Sequence, residues 1–285
     1  MVNQSSITAM IVQVILGIVI IVSLLVYYRR TLHISYRAVG VGILIFIVFS
    51  QILEQALHVY MFSGNQTTGA WLTNPWMTAV YGGLAAAIFE NAGRWLGFSY
   101  LLKNRQERKD GIAVGIGHGG IEILLISVLL GIGGIALASM INTGTFEQLL
   151  RAEATPEQLA LFQGFKDRMI HATPGEYWLG AFERIPAMGI QIALSVTVLY
   201  GIRARRAVYL LYAVGAHAFI DFFAGLYQGK VLPLWAVEGI VWTAGIGAVI
   251  VIVKSKGWFA NFTPRSEQRK EDFSDEQSSS FGSRL

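Results

Sequence analysis

The sequence predicts an all-α polytopic membrane protein: a helix bundle of about seven transmembrane helices, N-terminus outside and C-terminus cytoplasmic. Three observations predict it. The chain is 54% hydrophobic and 14% charged, with a mean hydropathy of +0.52, a balance that belongs to membrane proteins rather than soluble domains. Its apolar residues form runs long enough to cross about 30 Å of hydrocarbon as helices, and far too long for barrel strands, so helices are the remaining way to satisfy the backbone in lipid. Its basic residues gather in alternate connections.

The first run, Ile7–Tyr28, is followed by Arg29 and Arg30 and preceded by no positive charge. That order is the reverse of a cleavable signal peptide, so the run is read as a span. The next spans are Arg37–Tyr60, Trp76–Leu102 and Gly111–Met140. The last of these is long for one crossing, and Gly131, Gly133 and Gly134 offer a place to tilt or break. Glu176–Ile202, Ala207–Tyr227 and Pro233–Val253 complete the set, giving one membrane domain over residues 1–261. The outer loop 141–175 is polar. Within it Pro156–Ile170 sets Leu159, Leu161, Phe162, Phe165 and Ile170 among charges, the pattern of an amphipathic connector or an interfacial helix. The Ser-, Glu- and Arg-rich tail 262–285 is predicted to be a disordered cytoplasmic segment. There is no internal repeat, which argues against an inverted-repeat transporter.

Most of the 22 Lys and Arg fall on one side of this arrangement. Arg29, Arg30 and Arg37 follow the first span. Lys103, Arg105, Arg108 and Lys109 follow the third, and Arg203, Arg205 and Arg206 the fifth. Lys254, Lys256, Arg265, Arg269, Lys270 and Arg284 follow the seventh. The positive-inside rule makes this side cytoplasmic. The net charge of +4 thus reflects topology and contact with anionic lipid headgroups; without a folded reader it gives no nucleic-acid site. The chain has no cysteine, which excludes a thiolate nucleophile and a cysteine-based zinc site.

Four spans carry two ionisable residues four positions apart: Glu54 and His58, Glu90 and Arg94, His118 and Glu122, His217 and Asp221. That spacing puts both side chains on one helix face, and ionisable groups inside hydrocarbon need partners or a wet cavity. At about 1.5 Å of rise per residue, Arg94 and His118 lie about 10–12 Å from the cytoplasmic helix ends, Glu90, Glu122 and His217 about 15–18 Å, and Asp221 about 21 Å. These six share one depth. Glu54, His58, Glu183, Arg184 and Glu238 form a shallower layer on the outer side, read as structural or access-lining. The glycines around His118 resemble a nucleotide fingerprint only out of context, because no strand precedes them; Gly111, Gly115 and Gly119 form a small-residue stripe for close helix packing.

The run Phe89-Glu90-Asn91-Ala92-Gly93-Arg94-Trp95, then Gly117-His118-Gly119-Gly120-Ile121-Glu122, then His217-Ala218-Phe219-Ile220-Asp221 resembles the YhfC family of intramembrane peptidases. That family is remotely related to the CAAX- and bacteriocin-processing (CPBP) membrane proteases and to the seven-span scaffold subunit of gamma-secretase. The resemblance spans Glu54 to Asp221. The CPBP pattern carries two adjacent glutamates ahead of the arginine; here Phe89 stands where the first would be, and Glu122 is placed to supply a carboxylate from the next helix. The resemblance implies an integral multi-pass protein of a bacterial plasma membrane, acting on a membrane or lipid-proximal peptide.

Water activation by Glu90, with Glu122 as alternate base, is then expected. His118 would orient the water, His217 and Asp221 would hold the oxyanion side, and Arg94 would position Glu90. A zinc or other divalent ion held by His118, His217, Glu122 and Asp221 is the metal-assisted version; no helical HExxH motif demands it. A non-catalytic scaffold or chaperone with a helix-locking polar network is the alternative, and a proton-coupled transporter a third. Topology reporters fused after Tyr28, Leu102 and Ile202 are expected to read cytoplasmic; an external reading after Ile202 contradicts seven crossings.

Overall fold

The structure is a computed structural model that describes residues 1–148 and 155–262. Among these residues there are helices and no strands. The long helices are α1 (Gln4–Leu32) and α2 (Tyr36–Gly64). The short α3 (Gln66–Trp71) leads to α4 (Pro75–Leu96), and α5 (Arg108–Thr143) follows. Beyond residues 149–154 come α6 (Pro156–His171), α7 (Pro174–Arg203), α8 (Val208–Gln228) and α9 (Leu234–Ala260). The tail expected from 262 onward lies outside the described residues past Phe262, and so do residues 149–154 of the outer loop.

Local chemistry sets the boundaries. Asn65 and Asn74 cap α3 and α4, each side-chain oxygen accepting two backbone N–H groups, and Pro75 stands where no N–H partner is needed. Asp110 closes the start of α5 by accepting from the Glu107 N–H at 3.0 Å.

Among the described residues, six helices are long and apolar enough to cross a membrane: α1, α2, α5, α7, α8 and α9. The chain is an integral multi-pass membrane protein. The seventh long helix, α4, falls outside that set because its second half carries Glu90, Asn91 and Arg94 in place of apolar side chains. Those groups turn inward: all three are buried. The ends of the bundle are distinct. Leu32, Arg108, Lys109, Arg203 and Lys256 line one surface groove, and Arg37 donates to the Leu101 carbonyl at the same end. At the opposite end the Val2 N–H donates to Asn142 and the Trp178 indole to Ser5. The basic connections that sequence placed together are therefore together in space.

Among the described residues regular helix gives way to π-helix at four places. The second helix is wound so over Phe46–Glu54 and again over Tyr60–Gly64, α4 continues so over Gly97–Leu101, and α5 over Leu124–Leu129. Of the tilt or break expected near Gly131 to Gly134, no break occurs; α5 stays helical there and its irregularity lies just after Glu122. Such π segments re-aim side chains at functional sites.

Glycine sets the helix spacing around α5. A Cβ on Gly42 would collide with the Val114 carbonyl oxygen and one on Gly117 with the Val39 carbonyl oxygen, so α2 and α5 cross with backbone against backbone. On the adjoining face a Cβ on Gly115 would lie 2.5 Å from Ile192 Cα, which brings α7 equally close. Gly133 on the same helix has nothing within 4 Å of such an atom. Gly117→Ala is therefore expected to destabilise the folded chain by about 1–3 kcal/mol through overpacking. Gly133→Ala should be neutral or stabilising by up to about 1 kcal/mol, from helix propensity. Melting temperatures in detergent separate the two; equal values contradict the crossing.

Candidate active centre

The close crossings bring polar side chains from four helices to one buried cluster. From α4, Arg94 is fully buried and Glu90 is 6% exposed. The guanidinium Nη2 donates to Glu90 Oε2 at 3.1 Å and to Gln191 Oε1 of α7; Nη1 donates to Asn91 Oδ1 at 3.2 Å, and Nε to Ser195 Oγ of α7 at 3.3 Å. A buried guanidinium survives in hydrocarbon only when its rigid fork of donors is met in this way.

Glu90 Oε2 also faces both imidazoles. His118 Nε2 of α5 is 2.8 Å from it and His217 Nε2 of α8 is 3.7 Å away. His217 Nε2 is in turn 3.2 Å from Asp221 Oδ2, one turn along α8. The Asn91 amide fixes the His217 ring: its Nδ2 donates to the Ala87 carbonyl at 2.8 Å and points at His217 Nδ1, 3.3 Å away. With Nδ1 accepting, the His217 proton resides on Nε2, toward the carboxylates. His118 reaches the same state differently. Its Nδ1 has no partner and Phe46 packs edge-on against the ring at 5.0 Å, so Nε2–H is the donor to Glu90. The Asp221 side chain keeps 32% exposure against 6% for His217, so the cluster opens on the Asp221 side.

Glu122 is one step removed. It accepts from Gln191 Nε2 at 2.7 Å, and through Gln191 is linked to Arg94. Glu90, not Glu122, is the carboxylate between the two imidazoles. The second layer expected from sequence stands apart as well. Glu54 pairs with His58 at 3.3 Å, Glu183 with the adjacent Arg184 at 2.7 Å, and Glu238 is buried with its Oε2 unpartnered.

Residues 12–241 match the family described as YhfC intramembrane metalloprotease. A relative from Bacillus subtilis (strain 168), described as an uncharacterized membrane protein YhfC, is 37% identical over 260 residues, which cover 91% of this chain and 100% of the relative. The chain belongs to the YhfC family. No solved structure matches it. The stretch matched to the YhfC family contains every residue of the cluster, from Glu90 on α4 to Asp221 on α8.

The family's description names a metal, and the donor chemistry of this YhfC member fits one: two imidazoles turn their Nε2 atoms to one carboxylate, with a second carboxylate beside them, the ligand types zinc takes. As placed, these groups make a hydrogen-bonded cluster. Among the described residues no group of three or more His, Asp or Glu side chains is set to hold an ion. The ligand set His118, His217, Glu122 and Asp221 expected from sequence is thus not assembled, because Gln191 draws Glu122 away and Glu90 takes the central place.

Sequence reasoning missed Asn91, Gln191 and Ser195 as members of the site. The signal was present: Gln191 and Ser195 are polar residues four apart in the otherwise apolar stretch 185–196 of α7, the same spacing that marked the ionisable pairs. Arg94→Met is expected to destabilise the chain by about 3–5 kcal/mol, since it strands a buried carboxylate. Gln191→Ala should cost about 1–3 kcal/mol for the unmet groups on Arg94 and Glu122. Unfolding titrations in mixed micelles measure both; a neutral Arg94→Met contradicts the network as drawn.

Proposed function

We propose that this chain is an intramembrane peptidase that hydrolyses a peptide bond of a membrane or lipid-proximal substrate at the Glu90 centre. One observation carries the reading: a single carboxylate oxygen of Glu90 lies between two imidazole Nε2 atoms, while a fully buried arginine holds the same carboxylate in place. A helix-locking network needs paired charges; it does not need two histidines aimed at one oxygen.

The roles follow from the bonds. Oε2 of Glu90 is occupied by Arg94 and His118, which leaves Oε1 for a water. Glu90 takes a proton from that water as its oxygen bonds to the carbonyl carbon. His118 keeps its Nε2–H on Glu90 and orients the base, while the Nε2–H of His217, farther from that carboxylate at 3.7 Å, stabilises the developing oxyanion. When the C–N bond breaks, the same proton passes from Glu90 to the leaving amine. Arg94 and Asn91 are positioning residues: Arg94 orients Glu90 and Asn91 fixes the His217 tautomer. A divalent metal, where bound, would be held by His118, His217 and Glu90 and would acidify the attacking water.

Glu90→Gln, His118→Ala and His217→Ala are each expected to abolish cleavage of a membrane substrate while leaving a folded chain. A double variant should be little worse than either single one, because the groups act as a unit. A scaffold predicts the other pattern, in which melting temperature and function fall together. Cleavage and melting temperature measured on the same three proteins decide; parallel loss of both, or wild-type cleavage in all three, overturns the peptidase.

A further inference from the structure

A second titratable cluster lies beside the centre, on α2 and α4, and the proposed chemistry does not use it. Its members are Glu54, His58 and Tyr81. His58 Nε2 is 3.3 Å from Glu54 Oε1 and His58 Nδ1 is 2.8 Å from the Tyr81 hydroxyl. One arrangement satisfies both contacts: Nε2–H donates to the carboxylate and the Tyr81 hydroxyl donates to Nδ1. The His58 ring is packed edge-on against Tyr81 and Phe62, at 5.4 and 6.2 Å. The His58 side chain keeps 23% exposure and Glu54 only 7%, so the cluster runs inward from a half-exposed ring to a buried carboxylate.

The other oxygen of that carboxylate carries the inference. Glu54 Oε2 is buried with no partner at hydrogen-bond distance, the Ser50 hydroxyl lies beside this carboxylate, and Glu54 is an electrostatic neighbour of both Glu90 and Asp221. A simple clasp between α2 and α4 would use Oε1 and both ring nitrogens and would place nothing polar further in. A bare buried carboxylate oxygen calls for a water. Direction is given by the helices. His58 and Tyr81 lie toward the end of the bundle where α2 ends and α4 begins, and Glu90 lies nine residues further along α4 than Tyr81, about 13 Å deeper. A second polar line, Glu183, Arg184 and Glu238, also has unpartnered atoms. It meets the centre through Arg184 at Glu122, a neighbour of Glu90 in its turn, but there Gln191 already bonds the carboxylate.

We propose that Glu54, His58 and Tyr81 line the path by which the hydrolytic water reaches Glu90, from the end of the bundle opposite the basic connections. The proposal rests on the hydrolytic reading of the centre. Each bond cleaved consumes one water: its oxygen goes to the acyl carbon, one hydrogen travels by Glu90 to the amine, and the other stays on the new carboxyl group. No further reactant is needed, but water must cross hydrocarbon to arrive, and a polar seam is how it does so.

The absence of cysteine makes the path directly testable. Ser50, buried one turn deeper on the Glu54 face, is replaced by cysteine; Ile52, which is 56% exposed on the lipid-facing side, is the control. A charged, membrane-impermeant thiol reagent is applied to each side of sealed vesicles. Ser50→Cys is expected to react at least about ten-fold faster than Ile52→Cys, since apolar surroundings suppress the reactive thiolate, and only from the side opposite the basic connections. Adding Glu54→Leu should remove that advantage and Glu54→Gln should keep it. In cleavage, Glu54→Leu should lower kcat with KM and melting temperature unchanged. Ser50→Cys labelling at the control rate, or from the basic side, overturns the path. Labelling as expected in a chain that cleaves no peptide upholds the wet seam and overturns the hydrolytic reading instead.

Discussion

The Arg94 guanidinium is the interaction on which the rest of the site depends. It is fully buried, and its donors reach Glu90, Asn91, Gln191 and Ser195. Each acceptor then holds something else. Glu90 faces His118 of α5 and His217 of α8, Asn91 orients His217, and Gln191 of α7 holds Glu122 of α5. One side chain thereby ties four helices into a single polar unit. In lipid the hydrophobic effect gives helices no preference for one another, so such a network and close packing must fix which faces meet.

Close packing supplies the other half. Gly42 and Gly117 let α2 and α5 touch through their backbones, and Gly115 does the same for α5 and α7. His118 follows Gly117 directly, so the crossing that brings α2 near also fixes how far the imidazole reaches. On α4, a Cβ at Gly83 would sit 2.8 Å from the Ala218 carbonyl oxygen, and this approach of α4 to α8 places Asn91 within reach of His217. The small residues and the polar residues are parts of one device: the first set the helix separation, the second need that separation to bond.

Much of this was legible in the sequence because burial of charge in an apolar span is so unfavourable. Glu90, Arg94, His118, His217 and Asp221 stood out for that reason, and they meet. The stripe Gly111, Gly115 and Gly119 faces α7 throughout, as its spacing required. What escaped was what depth alone leaves open. Glu90 and Glu122 share a level, but the angle around the helix axis decides which lies between the imidazoles, and Gln191 settles it. Gln191, Ser195 and the part played by Asn91 escaped because neutral polar residues are common in spans, and their partners sit on other helices. The π-helical stretches Phe46–Glu54 and Leu124–Leu129 escaped because no proline or glycine lies within them. The same holds for Tyr81, whose partner His58 lies on α2.

The central claim is that Arg94 holds Glu90 against two imidazoles that both carry their proton on Nε2. Nitrogen NMR of histidine-labelled, metal-stripped protein reads those protons directly. The account predicts Nε2–H tautomers at His118 and His217, with His118 changing its chemical shift when Arg94 is replaced by methionine. Nδ1–H tautomers at both, or shifts indifferent to Arg94, would contradict it.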